Sequence, residues 1–253
     1  MNKKILSLEN ISKDYYNITK EIKAINNISF DIYEGEIIAV VGPSGCGKSS
    51  LLNIIGNLEE KTSGNIIYPD GFKKIGYMFQ TDCLFPWLNI LDNCLLGIKV
   101  YRSVNDDDKD YVINLLNDYG LGDFIYSYPN SLSGGMRQRV ALIRTLVIKP
   151  DILLLDEPFS ALDSQSRLVV CDDVYKIIKK EHKTTIIITH DIGEAISVAD
   201  RVVILSNRPS CVKKVVDINL TNKSSPIKNR ECIEFNSYYN DIWGSIDHDF
   251  KGL

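Results

Sequence analysis

The sequence predicts an α/β fold with a mostly parallel sheet and a helical lobe inserted into it. Three observations carry that prediction. The short, continuously apolar runs Ile37–Val41, 152–155 and 185–189 read as strands buried on both faces. Segments of helical composition or spacing alternate with them, as they do where helices cover both faces of a parallel sheet. Between about residues 84 and 146 no buried strand is found, while helix faces recur.

Taken in order, 28–33 and Ile37–Val41 are β-forming runs separated by the polar turn Glu34-Gly35-Glu36. The second leads into a Gly-rich loop and then into Lys48–Ile55, which has helical composition. In the lobe, 112–116, 124–126 and 136–146 read as helix faces joined by Gly120, Gly122 and Pro129, and Asp106-Asp107-Asp108 predicts an exposed polar stretch. Residues 164–181 place Leu168, Val169, Val174, Ile177 and Ile178 near helical spacing. Arg201–Leu205 and 212–218 add two strands around Asn207-Arg208-Pro209. In the tail, 221–253, the spacing of Phe235, Tyr239, Ile242 and Ile246 predicts a docking helix.

A chain of 253 residues fits one domain over 1–253 with the lobe inserted at about 84–146, and buries enough surface to need no disulfide or metal staple. With 44% apolar and 25% charged residues, disorder, collagen and coiled coil are excluded as whole-chain answers. Lys and Arg number 29 against 33 Asp and Glu, a net charge of −4, which argues against a general nucleic-acid binder. No run approaches the ~20 apolar residues of a membrane span. Lys3 and Lys4 are followed only by Ile5 and Leu6 before polar residues, so a mature cytosolic start is expected. The six cysteines (46, 83, 94, 171, 211, 232) are scattered, which predicts reduced thiols and no zinc site.

Chemistry begins at Gly42-Pro43-Ser44-Gly45-Cys46-Gly47-Lys48-Ser49, with Ser50 next, which fits the phosphate-binding P-loop of P-loop NTPases. Gly42, Gly45 and Gly47 are expected to take positive φ, curling backbone N–H groups onto phosphate oxygens. The following helix turns its positive end to the same anion. Lys48 is expected to reach the β- and γ-phosphates, and the Ser49 hydroxyl is a hard ligand for Mg²⁺. Residues 152–155 run into Asp156 and Glu157 at the sheet edge where α/β folds bind ligands. Asp156 suits holding Mg²⁺ through water, and Glu157 suits accepting a proton from an attacking water.

The stretch Leu132-Ser133-Gly134-Gly135-Met136 followed by Arg137-Gln138-Arg139 reads by itself as a helix start with a Ser cap and a basic face. It also closely matches the signature of ABC ATPases, usually LSGGQ, with Met136 in place of Gln. With the P-loop, Asp156 and Glu157 in family order, the sequence resembles an ATP-binding subunit of an ABC transporter from near Leu8 to about Leu220. The resemblance implies an ABC ATPase core with an N-terminal antiparallel β portion. It implies Tyr15 stacked on adenine, with Tyr16 as the alternative, and Gln80 contacting Mg²⁺ and the attacking water. It implies His190 on the γ-phosphate, and Ser160-Ala161-Leu162-Asp163 against a partner protomer. Ser133, Gly134 and Gly135 would then meet the ATP of a second copy, giving a dimer with two ATPs between its halves.

A P-loop kinase or GTPase would lack 132–136. A DNA-maintenance or translation ABC ATPase is the alternative class, but the chain has no coiled-coil insertion, zinc knuckles or second ATPase unit. Phe79-Gln80, Leu84-Phe85-Pro86-Trp87, Ile90-Leu91-Asp92-Asn93 and Asn207-Arg208-Pro209 resemble the nitrate, sulfonate and taurine importers, with Ser210 where Gly is common. The resemblance implies a separate transmembrane permease, an indirect substrate-binding protein, and a peripheral place on the cytoplasmic side of the membrane. The apolar loop near Phe85 and Trp87 could receive a permease helix, or those rings could be core.

Overall fold

The computed structural model describes residues 3–17 and 20–247. Strand β1 (Lys4–Asn17) pairs antiparallel with β2 (Lys20–Tyr33), and β3 (Ile37–Val41) then enters a second sheet. Helix α1 (Lys48–Ile55) precedes β4 (Ser63–Ile67), which pairs antiparallel with β1, and β5 (Ile75–Met78). The lobe holds α2 (Ile90–Tyr101), α3 (Asp106–Asp118) and α4 (Gly134–Val147). Then come β6 (Ile152–Asp156), α5 (Ser164–Lys180), β7 (Thr184–Ile188), α6 (Ile192–Val198), β8 (Arg201–Leu205) and β9 (Val212–Asp217). Helices α7 (Pro226–Asn229) and α8 (Phe235–Asp247) end the described chain.

The main sheet runs β5-β6-β7-β3-β8-β9, parallel throughout except that β9 is antiparallel to β8. Its strands alternate between two cores. Ile37, Ala39, Val41, Leu153, Leu155 and Ile187 face α4, α5 and α6, whereas Ile38, Val40, Ile152, Leu154 and Ile186 face α1 and the N-terminal sheet. At about 1.5–3 kcal/mol for each fully buried aliphatic side chain, this two-sided burial dominates the fold. A third cluster fills the lobe, and α4 belongs to both bodies: Val140, Ile143 and Val147 enter the lobe, Ala141, Leu142 and Leu146 the main core.

Several elements differ from the sequence reading. Strands β4 and β5 were not anticipated, because each is short and contains a glycine. A Cβ on Gly76 would lie 2.7 Å from Thr145 Cγ2, so close sheet-to-helix packing rather than β propensity chose that residue. Strand β2 begins well before residue 28, through a polar stretch. The Asp106–108 run is the first turn of α3, where Asn105 and Asp108 form a capping box and three acids meet the positive helix end. Residues 124–126 give no helix face, only the end of a 3₁₀ turn at Gly122–Phe124. In α8, Phe235 and Ile242 are buried as the spacing predicts. Tyr239 instead stays partly exposed, its ring nearly parallel to Trp243 at 6.3 Å. Residues 248–253 of the expected tail lie outside the described residues.

Candidate nucleotide site

The loop 42–47 joins β3 to α1 at the carboxyl end of the parallel strands. Gly45 (φ 72°) and Gly47 (φ 110°) are left-handed, as expected. Gly42 is not, and the expectation is corrected: its reason is space, since a Cβ there would lie 3.0 Å from the Leu205 carbonyl oxygen and 3.1 Å from Cys46 Sγ. Pro43 and Cys46 are buried beneath the loop, while Ser44 is exposed. Lys48 is buried, and its ammonium donates to the carbonyls of Gly42 (2.9 Å) and Pro43 (3.0 Å).

Across the loop, Ser49 Oγ donates to Asp156 Oδ1 at 3.2 Å. Burial pushes the Asp156 carboxyl up, the Ser49 bond opposes this, and the neighbouring Glu157 charge adds to the rise. Glu157 itself is left-handed (φ 44°), with its N–H on the Ile188 carbonyl at 2.9 Å. Its Oε2 accepts from Gln80 Nε2 at 3.2 Å and lies 3.2 Å from His190 Nδ1. Gln80 Nε2 also donates to Ser160 Oγ at 3.3 Å. An open cleft of about 600 Å³ runs from Ser44 and Lys48 to Gln80, Glu157 and His190. Tyr15 stands at its side, its hydroxyl 2.7 Å from Ser50 Oγ, whereas Tyr16 is 72% exposed.

Ser133, Gly134 and Gly135 do not join this cleft. Ser133 caps α4, its Oγ accepting from Met136 N–H at 3.3 Å, so the plain helix-start reading describes this chain's own structure. The three residues line a second open cleft of about 530 Å³ with Asp163 and Arg139. A Cβ on Gly135 would lie 2.7 Å from Val170 Cγ2.

A family model described as ABC transporter matches residues 25–160. An uncharacterized ABC transporter ATP-binding protein of Bacillus subtilis, YtlC, is 39% identical over 248 residues, 96% of this chain and 95% of that protein. The chain belongs to the ABC transporter family. Other relatives of this ABC ATPase include the nitrate transport protein NasD of Klebsiella oxytoca, 36% identical and matched over 97% of this chain and 96% of that one. The aliphatic sulfonates import ATP-binding protein SsuB of Bacillus cereus is 40% identical over 85% of this chain and 86% of its own. Among solved structures, a dimeric post-hydrolysis state of the ATP-binding cassette MJ0796 with ADP and Pi has a TM-score of 0.72 at 31% identity, covering 85% of this chain and 99% of that one.

Around the ABC site, the donors fit a divalent cation: the Ser49 hydroxyl lies 3.2 Å from the partly buried Asp156 carboxylate, with the Glu157 carboxylate next in the chain. Among the described residues no group of three or more His, Cys, Asp or Glu is arranged to hold a metal. Arg208 is a site neighbour that the residue-by-residue reading did not include. It reaches the P-loop from the β8–β9 turn, a placement fixed by long-range pairing and not by any local pattern. Phe85 and Trp87 are 40% and 69% exposed with rings 5.1 Å apart, so they are not core, although Leu84 beside them is buried. No helix among the described residues is long and apolar enough to cross a membrane.

Proposed function

We propose that this ABC ATPase hydrolyses ATP in the P-loop cleft and so drives a separate membrane permease. The observation that carries the reading is the Glu157 carboxylate, held between Gln80 and His190 at one side of an open cleft whose other side is the P-loop. Backbone N–H groups of 44, 45 and 47–50 and the Lys48 ammonium bind the β- and γ-phosphates around the Cys46 turn, whose own N–H stays on the Pro43 carbonyl, and Tyr15 supports the adenine. Leaving its resting carbonyl partners, Lys48 moves its charge onto phosphate oxygens. Ser49 would hold Mg²⁺ directly and Asp156 through water, with Gln80 beside the same ion. Bound there, Mg²⁺ neutralises charge on the phosphate oxygens. Glu157 accepts a proton from the attacking water, which Gln80 orients. His190 donates to the γ-phosphate and, through its contact with Glu157, keeps the carboxylate turned to the cleft.

The site is completed by a second copy of the chain, whose Ser133, Gly134 and Gly135 cover the γ-phosphate. Residues 1–253 act as one ATPase domain. The exposed Phe79, Phe85 and Trp87 receive an amphipathic helix of the permease. The protein then sits peripherally on the cytoplasmic side, with a substrate-binding protein acting only through the permease. The names of the nitrate and sulfonate relatives support a small anion as cargo. Nucleic acid is not a partner in this reading.

The test is Mg²⁺-dependent ATP hydrolysis by the wild type and Glu157→Gln. General-base catalysis is worth ~10²–10⁴-fold, so the variant loses that factor in turnover while keeping ATP affinity. A variant retaining more than about a tenth of the wild-type rate would falsify the assignment of the base.

A further inference from the structure

The turn 206–211 between β8 and β9 is built as a rigid bracket. Ser206 N–H donates to the Cys211 carbonyl at 3.0 Å, and Cys211 N–H donates to Ser206 Oγ at 3.0 Å. The bracket is anchored on β2 by Ser210, which is fully buried. Ser210 gives its N–H to the Ala24 carbonyl at 3.0 Å and accepts from Asn26 N–H at 2.8 Å, while its Oγ donates to the Ala24 carbonyl at 3.2 Å. Gly47 packs on the same spot, with an added Cβ 3.2 Å from Ile25 and 3.6 Å from Ser210 Oγ.

From this anchor Arg208 reaches across to the P-loop. Its Nε donates to the Gly45 carbonyl at 3.1 Å, and Nη2 donates to the same oxygen. The peptide plane after Gly45 is thereby fixed from both sides, because the Cys46 N–H donates to the Pro43 carbonyl at 3.3 Å. Glycine reaches other backbone conformations at little cost, so the left-handed Gly45 does not by itself hold the peptide that follows it. Rotation would turn a carbonyl dipole toward the phosphates and spoil the cradle. Burial raises the Tyr15 hydroxyl and the Cys46 thiol, and the Arg208 charge opposes both shifts, so its field spans the site from side to floor.

We propose that Arg208 is a positioning residue of the nucleotide site: by holding the Gly45 carbonyl it preorganises the phosphate loop. This rests on the ATP-binding reading above. The guanidinium is aimed at the backbone of the loop, so it acts on any nucleotide the loop accepts, whatever its number of phosphates.

The experiment is a calorimetric titration of the full chain with MgATP and with MgADP, for the wild type, Arg208→Ala and Arg208→Gln. A hydrogen bond from a charged donor sets the scale, so Arg208→Ala weakens ATP and ADP alike, by about ten-fold. In steady-state hydrolysis the loss lies in KM and fades at saturating ATP. Arg208→Gln, whose amide can donate to a carbonyl without charge, recovers most of the affinity. Melting of the nucleotide-free protein is unchanged, since Arg208 is exposed. The proposal is overturned if ATP suffers far more than ADP and Gln does no better than Ala, which would make Arg208 a direct ligand of the terminal phosphate. It is also overturned if Arg208→Ala binds as the wild type does, or if its melting temperature falls in step with affinity. A wild type that binds no ATP sinks the ATPase reading itself, and is thereby distinguished from a failure of Arg208 alone.

Discussion

The two clefts of the molecule are unlike in how finished they are. In the P-loop cleft, cation, hydroxyl, carboxylates, amide and imidazole converge from four separate elements, with Ser49 on Asp156 and with Gln80 and His190 on Glu157. In the signature cleft, the Ser133 hydroxyl serves its own helix, and the two glycines are set by space: a Cβ on Gly134 would meet Leu162 at 3.1 Å and one on Gly135 would meet Val170 at 2.7 Å. In the proposed reading the first is the place for chemistry and the second the surface that covers a second copy's nucleotide, and three experiments can break or sharpen that contrast.

The largest effect is expected on the signature side. Glu157→Gln protein, which binds ATP without turning it over, is expected to shift from monomer to dimer on size exclusion when ATP is added, and not with ADP. Adding Ser133→Arg should abolish the shift while ATP still binds each P-loop. A double variant that dimerises as before removes the two-half account. The next effect belongs to the P-loop side alone. Stacking on a base is worth ~1–3 kcal/mol, so Tyr15→Ala should raise the ATP dissociation constant about ten-fold and Tyr16→Ala should leave it unchanged. The reverse pattern in a titration would transfer the adenine contact to Tyr16.

The smallest effect lies off both clefts. Asp200 accepts the Ile37 N–H at 2.9 Å and pairs with Lys223 at 2.7 Å and Lys179 at 3.2 Å, pinning the start of β3. Burial opposes its ionisation, but the Ile37 bond and the lysines outweigh it and hold the carboxyl below the ordinary carboxylate range. A depressed folded pKa means stability that is present above the unfolded value of about 4 and lost as pH falls through the folded one. Asp200→Asn should therefore cost on the order of 1 kcal/mol at pH 7, after allowing for partial exposure, with the gap closing on acidification. Nucleotide affinity and dimerisation should not move. A gap that persists at low pH would remove the charge from this explanation.

The site was legible in the sequence to the extent that it is local. The phosphate loop is contiguous from Gly42 to Ser50, and Asp156-Glu157 closes a run whose apolar residues leave no choice but a buried strand. Tyr15 and Tyr16 were indistinguishable until β1 was paired, because neighbours in a strand face opposite ways and only the register decides which meets Ser50. Strand β5 was invisible since Gly76 and three neighbours carry no pattern of their own; β6 supplies the pairing and Thr145 the reason for glycine. Arg208 belongs to a motif of the resemblance with no local physical task, because its place at the P-loop depends on Ser210 bonding to Ala24 of β2, 186 residues away in the chain.

Glu157 sits in a left-handed conformation that side-chain-bearing residues avoid, at a cost of order 1–3 kcal/mol. Side chains along a strand alternate, so Asp156 and the next residue would ordinarily serve opposite faces of the sheet. The reversal of φ breaks that alternation and brings Glu157 to the cleft whose Ser49 hydroxyl is already held by Asp156. Screening variants for heat resistance alone would therefore drift toward glycine or asparagine at 157, toward a sturdier protein that, if Glu157 is the base proposed above, grips its nucleotide and does nothing with it.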